Sequence, residues 1–170
     1  MPKLSVCIPV EPGQLAPTHL VNRLLEEPES SIEVIVAACG GREGAWPYLK
    51  ARAADDPRLR ILPTAPAGLS AANLWIGTLA AATGDWVSLV GPEDMIQPDL
   101  PKLLAYIEGK YPDADTLGWN AFSIAPDAPR SISTTVAVPI VHHLADIEKS
   151  RMLEAFFQWA GSQNTPRMPF

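Results

Sequence analysis

Short apolar runs alternate with helical stripes along the first two thirds of the chain. Each run is four to seven residues long, is rich in β-branched side chains and ends near proline or glycine. Runs of this kind predict buried strands rather than helices. Four strands are predicted, at residues 4–10, 32–37, 59–62 and 86–90.

The segments between these strands have the spacing of amphipathic helices. The first stripe begins near Pro17, a residue type favoured at helix starts. It consists of Leu20, Val21, Leu24 and Leu25. A second, short helix is predicted at residues 46–54. A third is predicted from Ser70 to Thr83, ended by Gly84. Its apolar face is predicted to comprise Ala71, Leu74, Trp75, Leu79 and Ala82.

A fourth helix is predicted to begin at Asp99, a favourable N-cap residue. Its apolar face is predicted to comprise Leu100, Leu103, Leu104 and Ile107.

Four alternations of strand and helix predict parallel pairing of the strands, and hence a three-layer α/β fold with helices on both faces of a mostly parallel sheet. Ligands of such sheets bind beyond the carboxyl ends of the strands. Glu93 and Asp94 lie just past the fourth strand, at that edge.

The pattern changes after Pro112. Strands are predicted at residues 117–124 and 132–138 without a helix between them, and a helix is predicted at 142–160. No closing element follows, so we expect the chain to be the N-terminal piece of a longer protein. A chain of 170 residues is expected to form one domain.

Composition narrows the functional classes. The formal net charge of −6 provides no basic stripe to meet phosphates, so we expect no nucleic-acid partner. The start, MPKLSVCIPV, lacks the features of a secretory signal, and no apolar run is long enough to span a membrane. We therefore expect a cytoplasmic protein. Cys7 and Cys39 lie in or beside apolar runs and are expected to be buried, reduced thiols.

Several familiar site motifs are missing from the sequence. The first strand is followed by EPGQLAP rather than the G-x-G-x-x-G of dinucleotide-binding sheets. The chain contains neither the P-loop pattern nor the G-x-S-x-G of serine hydrolases. Two cysteines are too few for a structural zinc site.

Four segments in order resemble the family 2 glycosyltransferases of the GT-A fold. They are KLSVCIPV, IEVIVAACGG, DPRLRILP and AGLSAANLWIGTLAAATGDWVSLVGPEDMIQPDLPKLL. The resemblance runs from Lys3 to about Leu104, and its most specific part begins at Gly68. It implies a nucleotide-sugar-binding half at residues 1–109 and the start of an acceptor half at 110–170.

The resemblance implies transfer of a sugar, of the hexosyl type, from a UDP- or GDP-type donor to a carbohydrate or lipid-linked acceptor hydroxyl. Glu93 falls on the family's principal metal-binding carboxylate and Asp94 on its neighbour. These hard oxygen ligands suit Mn²⁺ or Mg²⁺, which would bridge the donor's diphosphate. Inversion by direct displacement needs a carboxylate base. Asp146 and Glu148 lie near the expected region, but neither is assigned as the base.

The chain departs from the family pattern at several positions. Ala38 and Cys39 stand where the family places aspartates that bind the nucleoside, and Pro92 replaces a carboxylate of the acidic cluster. Glu11 is the remaining polar candidate after the first strand. The residues predicted to line the nucleotide cleft are Pro9, Val10, Glu11, Ala38, Cys39, Gly68, Ser70, Asn73 and Gly91.

Alternatives remain open from the sequence. Glu93 and Asp94 would also suit a solvated turn, and Ser70 and Asn73 a helix start. Trp119 and Asn120 lie where the family builds acceptor contacts, although a core role suits this tryptophan too. The whole chain could be a GT-A-fold binding or assembly module that does not catalyse, or an inactive fragment of an ordinary enzyme. The oligomeric state is not indicated.

Overall fold

The structure is a computed structural model that describes residues 3–26, 31–40, 44–96, 100–113, 121–124 and 132–136. The chain divides into two compact units, Met1–Gly109 and Lys110–Phe170. Helices and strands alternate from β1 to α4. They are β1 (Leu4–Val10), α1 (Thr18–Leu25), β2 (Ile32–Ala38), α2 (Trp46–Asp55), β3 (Leu59–Ile61), α3 (Ala71–Leu79), β4 (Trp86–Leu89) and α4 (Leu100–Lys110).

The described part of the second unit contains two antiparallel strands, β5 (Ala121–Ile124) and β6 (Ile132–Val136). Both fall within the strands predicted there. The predicted helix at 142–160, with Asp146 and Glu148, lies outside the described residues, as do Trp119, Asn120 and Asp99. The assignment of the two halves to donor and acceptor stays a prediction.

The first unit is built on a parallel sheet with the strand order β3-β2-β1-β4. β1 and β2 pair in register from Leu4 with Ile32 to Val10 with Ala38, and every residue of both strands is buried. Continuous burial is typical of central parallel strands covered on both faces. The predicted α/β fold with a mostly parallel sheet is therefore confirmed.

The strand order determines which helices share a face. The chain moves from β1 to β2 to β3 in one direction and then returns past β1 to β4. Because such crossovers are right-handed, α1 and α2 cover one face and α3 the other. Tyr48 of α2 donates a hydrogen bond to Asn22 of α1 at 2.8 Å, and the thiol of Cys7 in β1 contacts the carbonyl of Thr78 in α3.

Pro9 ends the pairing between the central strand β1 and β4. The carbonyl of Cys7 accepts from Val90 on the β4 side, whereas the carbonyl of Val10 accepts from Cys39 on the β2 side. The backbone groups of successive residues in a parallel strand bond alternately to its two neighbours, so the backbone of Pro9, like that of Cys7, faces β4. Proline has no N–H to donate to β4 there. The last register pair is Cys7 with Leu89. Beyond the pair of Cys7 and Leu89, no further residues of β1 and β4 are paired in the sheet.

A buried polar network lies at the amino end of β1 and β2. The carboxylate of Glu33, 6% exposed, accepts hydrogen bonds from the Ser5 hydroxyl at 2.5 Å and from the Thr83 amide and hydroxyl at 2.5 and 2.8 Å. Arg60 donates to the same carboxylate at 3.1 Å. The hydroxyl of Ser5 in turn accepts from the Gly84 amide at 2.8 Å. The network therefore ties the segment before β4 to the centre of the sheet.

Gly84 lies so close to β1 that no side chain fits. A Cβ atom built there would be 2.8 Å from the Ser5 backbone nitrogen and 3.1 Å from the Leu4 carbonyl carbon. We expect Gly84→Ala to lower the free energy of unfolding by about 2 kcal/mol, since backbone must move to admit the methyl group. Urea unfolding followed by circular dichroism measures this.

Gly77→Ala is the matched control for that variant. Gly77 lies within α3, and beyond the helix's own backbone no atom lies within 4 Å of the position that a Cβ atom would take. Alanine there should leave stability unchanged or raise it by up to about 1 kcal/mol, because glycine is the poorer helix former. Equal effects of the two substitutions would contradict the packing role of Gly84.

Helix α3 is shorter than the sequence pattern predicts. It ends at Leu79, and the prediction that it reaches Thr83 and stops at Gly84 is wrong. The amides of Thr83 and Gly84 donate to Glu33 and Ser5, so tertiary hydrogen bonds replace the helical ones. Arg60 of β3 is half-exposed and contributes to the same network, since it donates to both Glu33 and the Ala81 carbonyl.

The apolar faces are confirmed for α1 but only in part elsewhere. All four predicted residues of α1 are buried. Leu74 is the single member of the predicted α3 face that is buried, while Trp75 and Leu79 are exposed. Leu103 of α4 and the β4 residues Val87 and Leu89 are exposed as well. β4 is the edge strand of the described sheet, so it receives less cover than the central strands.

Both cysteines are buried and unbridged, as predicted. Burial raises the pKa of Cys7 to about 11, and the neighbouring Glu33 carboxylate adds to the rise. A thiol with so high a pKa is a poor nucleophile, so Cys7 has a packing role. Among the helices that the structure describes, none is long and apolar enough to cross a membrane.

Candidate functional site at the carboxyl edge of the sheet

The chain reverses its direction of winding at β1, and this creates the crevice where a site is expected. The connection that follows β1 leads to α1 on one face, whereas the connection that enters the neighbouring strand β4 comes from α3 on the other face. In open parallel sheets, ligands bind at this switch point, beyond the carboxyl ends of the strands. Pro9 widens the same place because pairing with β4 stops before it.

A cavity of about 840 Å³ lies at this edge. It is lined by residues 12–20 after β1, residues 44–46 at the start of α2, and residues 92–95 after β4. Ligand cavities in proteins commonly measure about 300–1,000 Å³, and this volume lies within that range. Glu93, Asp94 and His19 are the titratable side chains in this described lining, and it contains no lysine or arginine.

The acidic residues form a hydrogen-bonded turn directly after β4. The Asp94 amide donates to the Gly91 carbonyl at 3.2 Å, and Pro92 occupies the second position of the turn, where proline is favoured. The Asp94 carboxylate folds back and its Oδ2 accepts from the Gly91 amide at 2.9 Å. The Glu93 side chain is exposed. The turn thus presents both carboxylates at the cavity, with one Asp94 oxygen already engaged.

Gly91 makes room for that arrangement. A Cβ atom at position 91 would lie 2.8 Å from Asp94 Oδ2. Any side chain there would displace the carboxylate. The glycine predicted to lie in the nucleotide cleft therefore shapes the acidic turn, while a direct contact between Gly91 and a ligand stays a prediction.

The residues after β1 connect this edge to α3. Pro9 and Val10 are buried within β1. Glu11 follows them, and its amide donates to the Gln14 side chain at 2.7 Å. The indole nitrogen of Trp75 donates to Glu11 Oε1 at 3.2 Å. Glu11 therefore lies at the predicted edge with a defined partner on the α3 face.

The described residues at the carboxyl end of β2 offer no charged side chain. Ala38 and Cys39 are both buried, and Cys39 is 2% exposed. The Cys39 thiol donates a hydrogen bond to the Pro66 carbonyl at 3.1 Å. The backbone of Cys39 forms an isolated parallel β-bridge with Ala65. Cys39 thus holds the loop before α3 against the sheet. Contact between its backbone and a nucleotide stays a prediction.

The loop before α3 has structural reasons for its small residues. Gly68 has a φ of +95°, a region that favours glycine. Ser70 is the N-cap of α3, and its hydroxyl oxygen accepts from the Asn73 amide at 3.3 Å. This capping is the alternative that the sequence left open for Ser70. The Asn73 side chain is exposed, and a ligand contact for either residue stays a prediction.

The structure brings together some of the predicted site residues and adds others. Glu93 and Asp94 line the cavity, whereas the other predicted cleft residues do not belong to its lining. Sequence reasoning missed Gln14, His19 and Trp46, which do line it. The signal for Gln14 and His19 was their position in the connection that leaves the central strand at the switch point. The signal for Trp46 was its position at the start of the predicted helix at 46–54, because a helix that follows a parallel strand begins near the carboxyl edge of the sheet.

The acidic turn alone does not constitute a metal site. Among the described residues, no group of three or more His, Cys, Asp or Glu side chains could hold a metal ion. Two carboxylates, one of them partly engaged, are a donor set for Mg²⁺ or Mn²⁺ only if substrate phosphates and water complete the coordination. The residues fit an ion shared with a diphosphate and do not fit an ion held by the protein alone.

Comparisons with known proteins leave the family open. No protein-family model and no curated protein matches the chain. Among solved structures, similar ones include S. aureus TarS 1-349, at 18% identity and a TM-score of 0.49, covering 69% of this chain and 38% of that one. The complex of TarS 1-349 with UDP-GlcNAc is 21% identical with a TM-score of 0.49, covering 64% of this chain and 32% of that one. A further structure of S. aureus TarS is 19% identical with a TM-score of 0.47, covering 63% of this chain and 20% of that one.

This chain therefore spans well under half the length of each of these TarS chains.

Proposed function

We propose that the chain binds a nucleotide-diphosphate sugar at the carboxyl edge of its parallel sheet, as the donor-binding part of a glycosyltransferase. The observation that carries the proposal is the cavity at the switch point, where the acidic turn after β4 faces the connection after β1. Its volume suits a nucleotide-sized ligand, and its location is where ligands of open parallel sheets bind. The resemblance of residues 3–104 to family 2 glycosyltransferases supplies the substrate class.

The charges of the lining favour a donor that arrives with a divalent cation. A diphosphate placed beside Glu93 and Asp94 would be repelled, and the described lining offers only His19 as a side chain able to carry positive charge. Glu93, with the second oxygen of Asp94, would hold Mn²⁺ or Mg²⁺ between the turn and the diphosphate. Such an ion, when bound, supplies the positive charge that stabilises the departing diphosphate.

A donor-binding module without catalysis is the second candidate. The bond of the Cys39 thiol to the Pro66 carbonyl favours it, because the described residues at the carboxyl end of β2 then present no charged group to a nucleoside. A lost charge-assisted hydrogen bond weakens binding by about 1.5–3 kcal/mol. No catalytic base is assigned for the transfer, and the part of the chain considered for one lies outside the described residues.

Calorimetric titration of the full chain with UDP and with GDP, each with and without Mn²⁺, tests the proposal. We expect one nucleotide to bind in the presence of Mn²⁺ and to bind at least about tenfold more weakly without it. The absence of binding by both nucleotides would overturn the donor-site proposal. Release of sugar from the matching nucleotide sugar, followed by chromatography, then separates an enzyme from a binding module.

A further inference from the structure

Glu11 and Trp75 form a pair at the carboxyl edge that the cavity does not include. Trp75 lies in the second turn of α3, and its indole N–H donates to Glu11 Oε1 at 3.2 Å. The two residues are 64 positions apart in sequence, so the contact is made by the fold. Because α3 covers the face opposite α1 and α2, this pair lies on the other side of the switch point from helix α1.

The indole ring of Trp75 is exposed but has a preferred orientation. The side chain is 43% exposed, although tryptophan is usually well buried. Its only polar hydrogen is already bonded to Glu11, which restricts rotation of the ring. The exposed part of Trp75 is therefore apolar ring surface, presented in a defined direction.

Glu11 is held from two sides and retains an unused oxygen. Its backbone amide donates to the Gln14 side chain at 2.7 Å, while Oε1 accepts from Trp75. Oε2 accepts no hydrogen bond from the described residues. A carboxylate oxygen positioned beside an exposed aromatic ring can accept from a hydroxyl group, and a bond to a charged acceptor is stronger than a neutral one.

We propose that Glu11 and Trp75 bind a sugar ring that carries vicinal hydroxyl groups. The apolar face of such a ring packs on the indole, and an adjacent hydroxyl donates to Glu11 Oε2. This inference rests on the proposed function insofar as it treats the ring as part of a substrate. The ring is either the ribose of the donor nucleotide or a pyranose, and the chemistry of recognition is the same for both.

Nuclear magnetic resonance of the ¹⁵N-labelled full chain tests this pair directly. Each tryptophan indole N–H gives its own signal, and the signal that disappears in Trp75→Phe belongs to Trp75. Titrations use the nucleotide that calorimetry identifies, UDP or GDP, with diamagnetic Mg²⁺, then its 2′-deoxy form with Mg²⁺, and methyl glucoside. A shift of the Trp75 signal that is larger with the ribonucleotide than with the deoxy nucleotide identifies the ribose, and a shift with the glucoside identifies a pyranose.

The second readout is the affinity of variants for whichever ligand shifts the indole N–H signal of Trp75. We expect Trp75→Ala to weaken binding about tenfold, and Glu11→Gln to weaken it several-fold because the amide retains an acceptor for the indole but lacks the charge. Tyr48→Ala is the matched control. Tyr48 is a similarly exposed aromatic residue, with its hydroxyl bonded to Asn22 on the α1 and α2 face. The Tyr48→Ala substitution should leave the affinity for that ligand unchanged.

The outcomes separate this inference from the proposed function. If calorimetry detects nucleotide binding but the Trp75 signal stays in place with all three ligands, the pair does not bind sugar and the donor site remains supported. If the glucoside shifts Trp75 while no nucleotide binds, the donor-site proposal fails and the sugar-binding pair stands. Equal affinity of wild type, Trp75→Ala and Glu11→Gln overturns the inference.

Discussion

Glu93→Ala is expected to weaken Mn²⁺-dependent binding of UDP or GDP about a hundredfold, which corresponds to about 2.7 kcal/mol. Glu93 is exposed in the turn after β4 and lines the cavity. Its carboxylate has no hydrogen bond from the described residues to maintain, so it is the group best placed to hold a cation. Removing it leaves Asp94 alone, and one Asp94 oxygen already accepts from Gly91. Calorimetric titration measures the loss.

Two further variants separate metal binding from the shape of the turn. Asp94→Asn keeps an acceptor for the Gly91 amide but removes the charge, and we expect it to weaken binding less than Glu93→Ala does. Asp55→Ala removes an exposed acid at the end of α2, outside the cavity lining, and should have no effect. Unchanged Mn²⁺-dependent affinity in Glu93→Ala would mean that the acidic turn is only a solvated turn.

Glu33→Ala is expected to lower the free energy of unfolding by about 3 kcal/mol. The substitution removes the acceptor of four hydrogen bonds and leaves the buried Ser5 hydroxyl and the Thr83 amide without it. Arg60 is less affected because it is half-exposed and also donates to the Ala81 carbonyl. Chemical denaturation measures the difference.

Glu26→Ala is the control for the loss of an acid. Glu26 pairs with Arg23 on the surface, and such a pair contributes about 0–1 kcal/mol. A Glu33→Ala variant as stable as Glu26→Ala would show that the buried network does not stabilise the fold. Retained nucleotide affinity in folded Glu33→Ala would confirm that the network is structural, since it lies at the end of the strands opposite the cavity.

The stability of the protein should also fall at acid pH because of Glu33. Burial by itself raises the pKa of Glu33, but the hydrogen bonds from Ser5, Thr83 and Arg60 outweigh it and hold the pKa below its usual value. The unfolded chain then binds a proton at higher pH than the folded chain does. The stabilisation is complete above the unfolded pKa and is lost as pH falls through the lowered folded pKa.

Unfolding midpoints measured from pH 7 to pH 3 test this dependence. We expect the wild type to lose stability mainly below about pH 4.5, near the ordinary pKa of glutamate. Glu33→Gln cannot titrate and should show a shallower loss. Asp56, whose pKa is lowered chiefly by its hydrogen bonds from Arg58, contributes to the loss that remains in the variant. Identical pH profiles would contradict the assignment to Glu33.

The alternation of apolar runs and helical stripes was sufficient to predict the α/β class. Residues of β1 and β2 are apolar along nearly their whole length, and only a central parallel strand needs that pattern. The buried stripe of α1 was predicted in full for the same reason, since its period is local information. The position of Glu93 and Asp94 beyond a strand end also follows from the sequence once parallel pairing is inferred.

Other features depend on contacts between residues far apart in the chain. The end of α3 at Leu79 results from hydrogen bonds of Thr83 and Gly84 with Glu33 and Ser5, which override local helix preference. The inward orientation of the Cys39 thiol depends on the loop at Pro66. No periodicity in the sequence encodes such partners.

The sequence by itself therefore determined the fold class, the central strands and the edge of the sheet where acids are presented, because these depend on the local spacing of apolar residues. Only the tertiary structure decided which loops share the cavity and that Trp75 faces solvent beside Glu11 rather than the core. The physical reason is that strand order, and not strand identity, creates the switch point. The β3-β2-β1-β4 order places the connections after β1 and β4 side by side, although Glu11 and Gly91 are 80 positions apart in the chain.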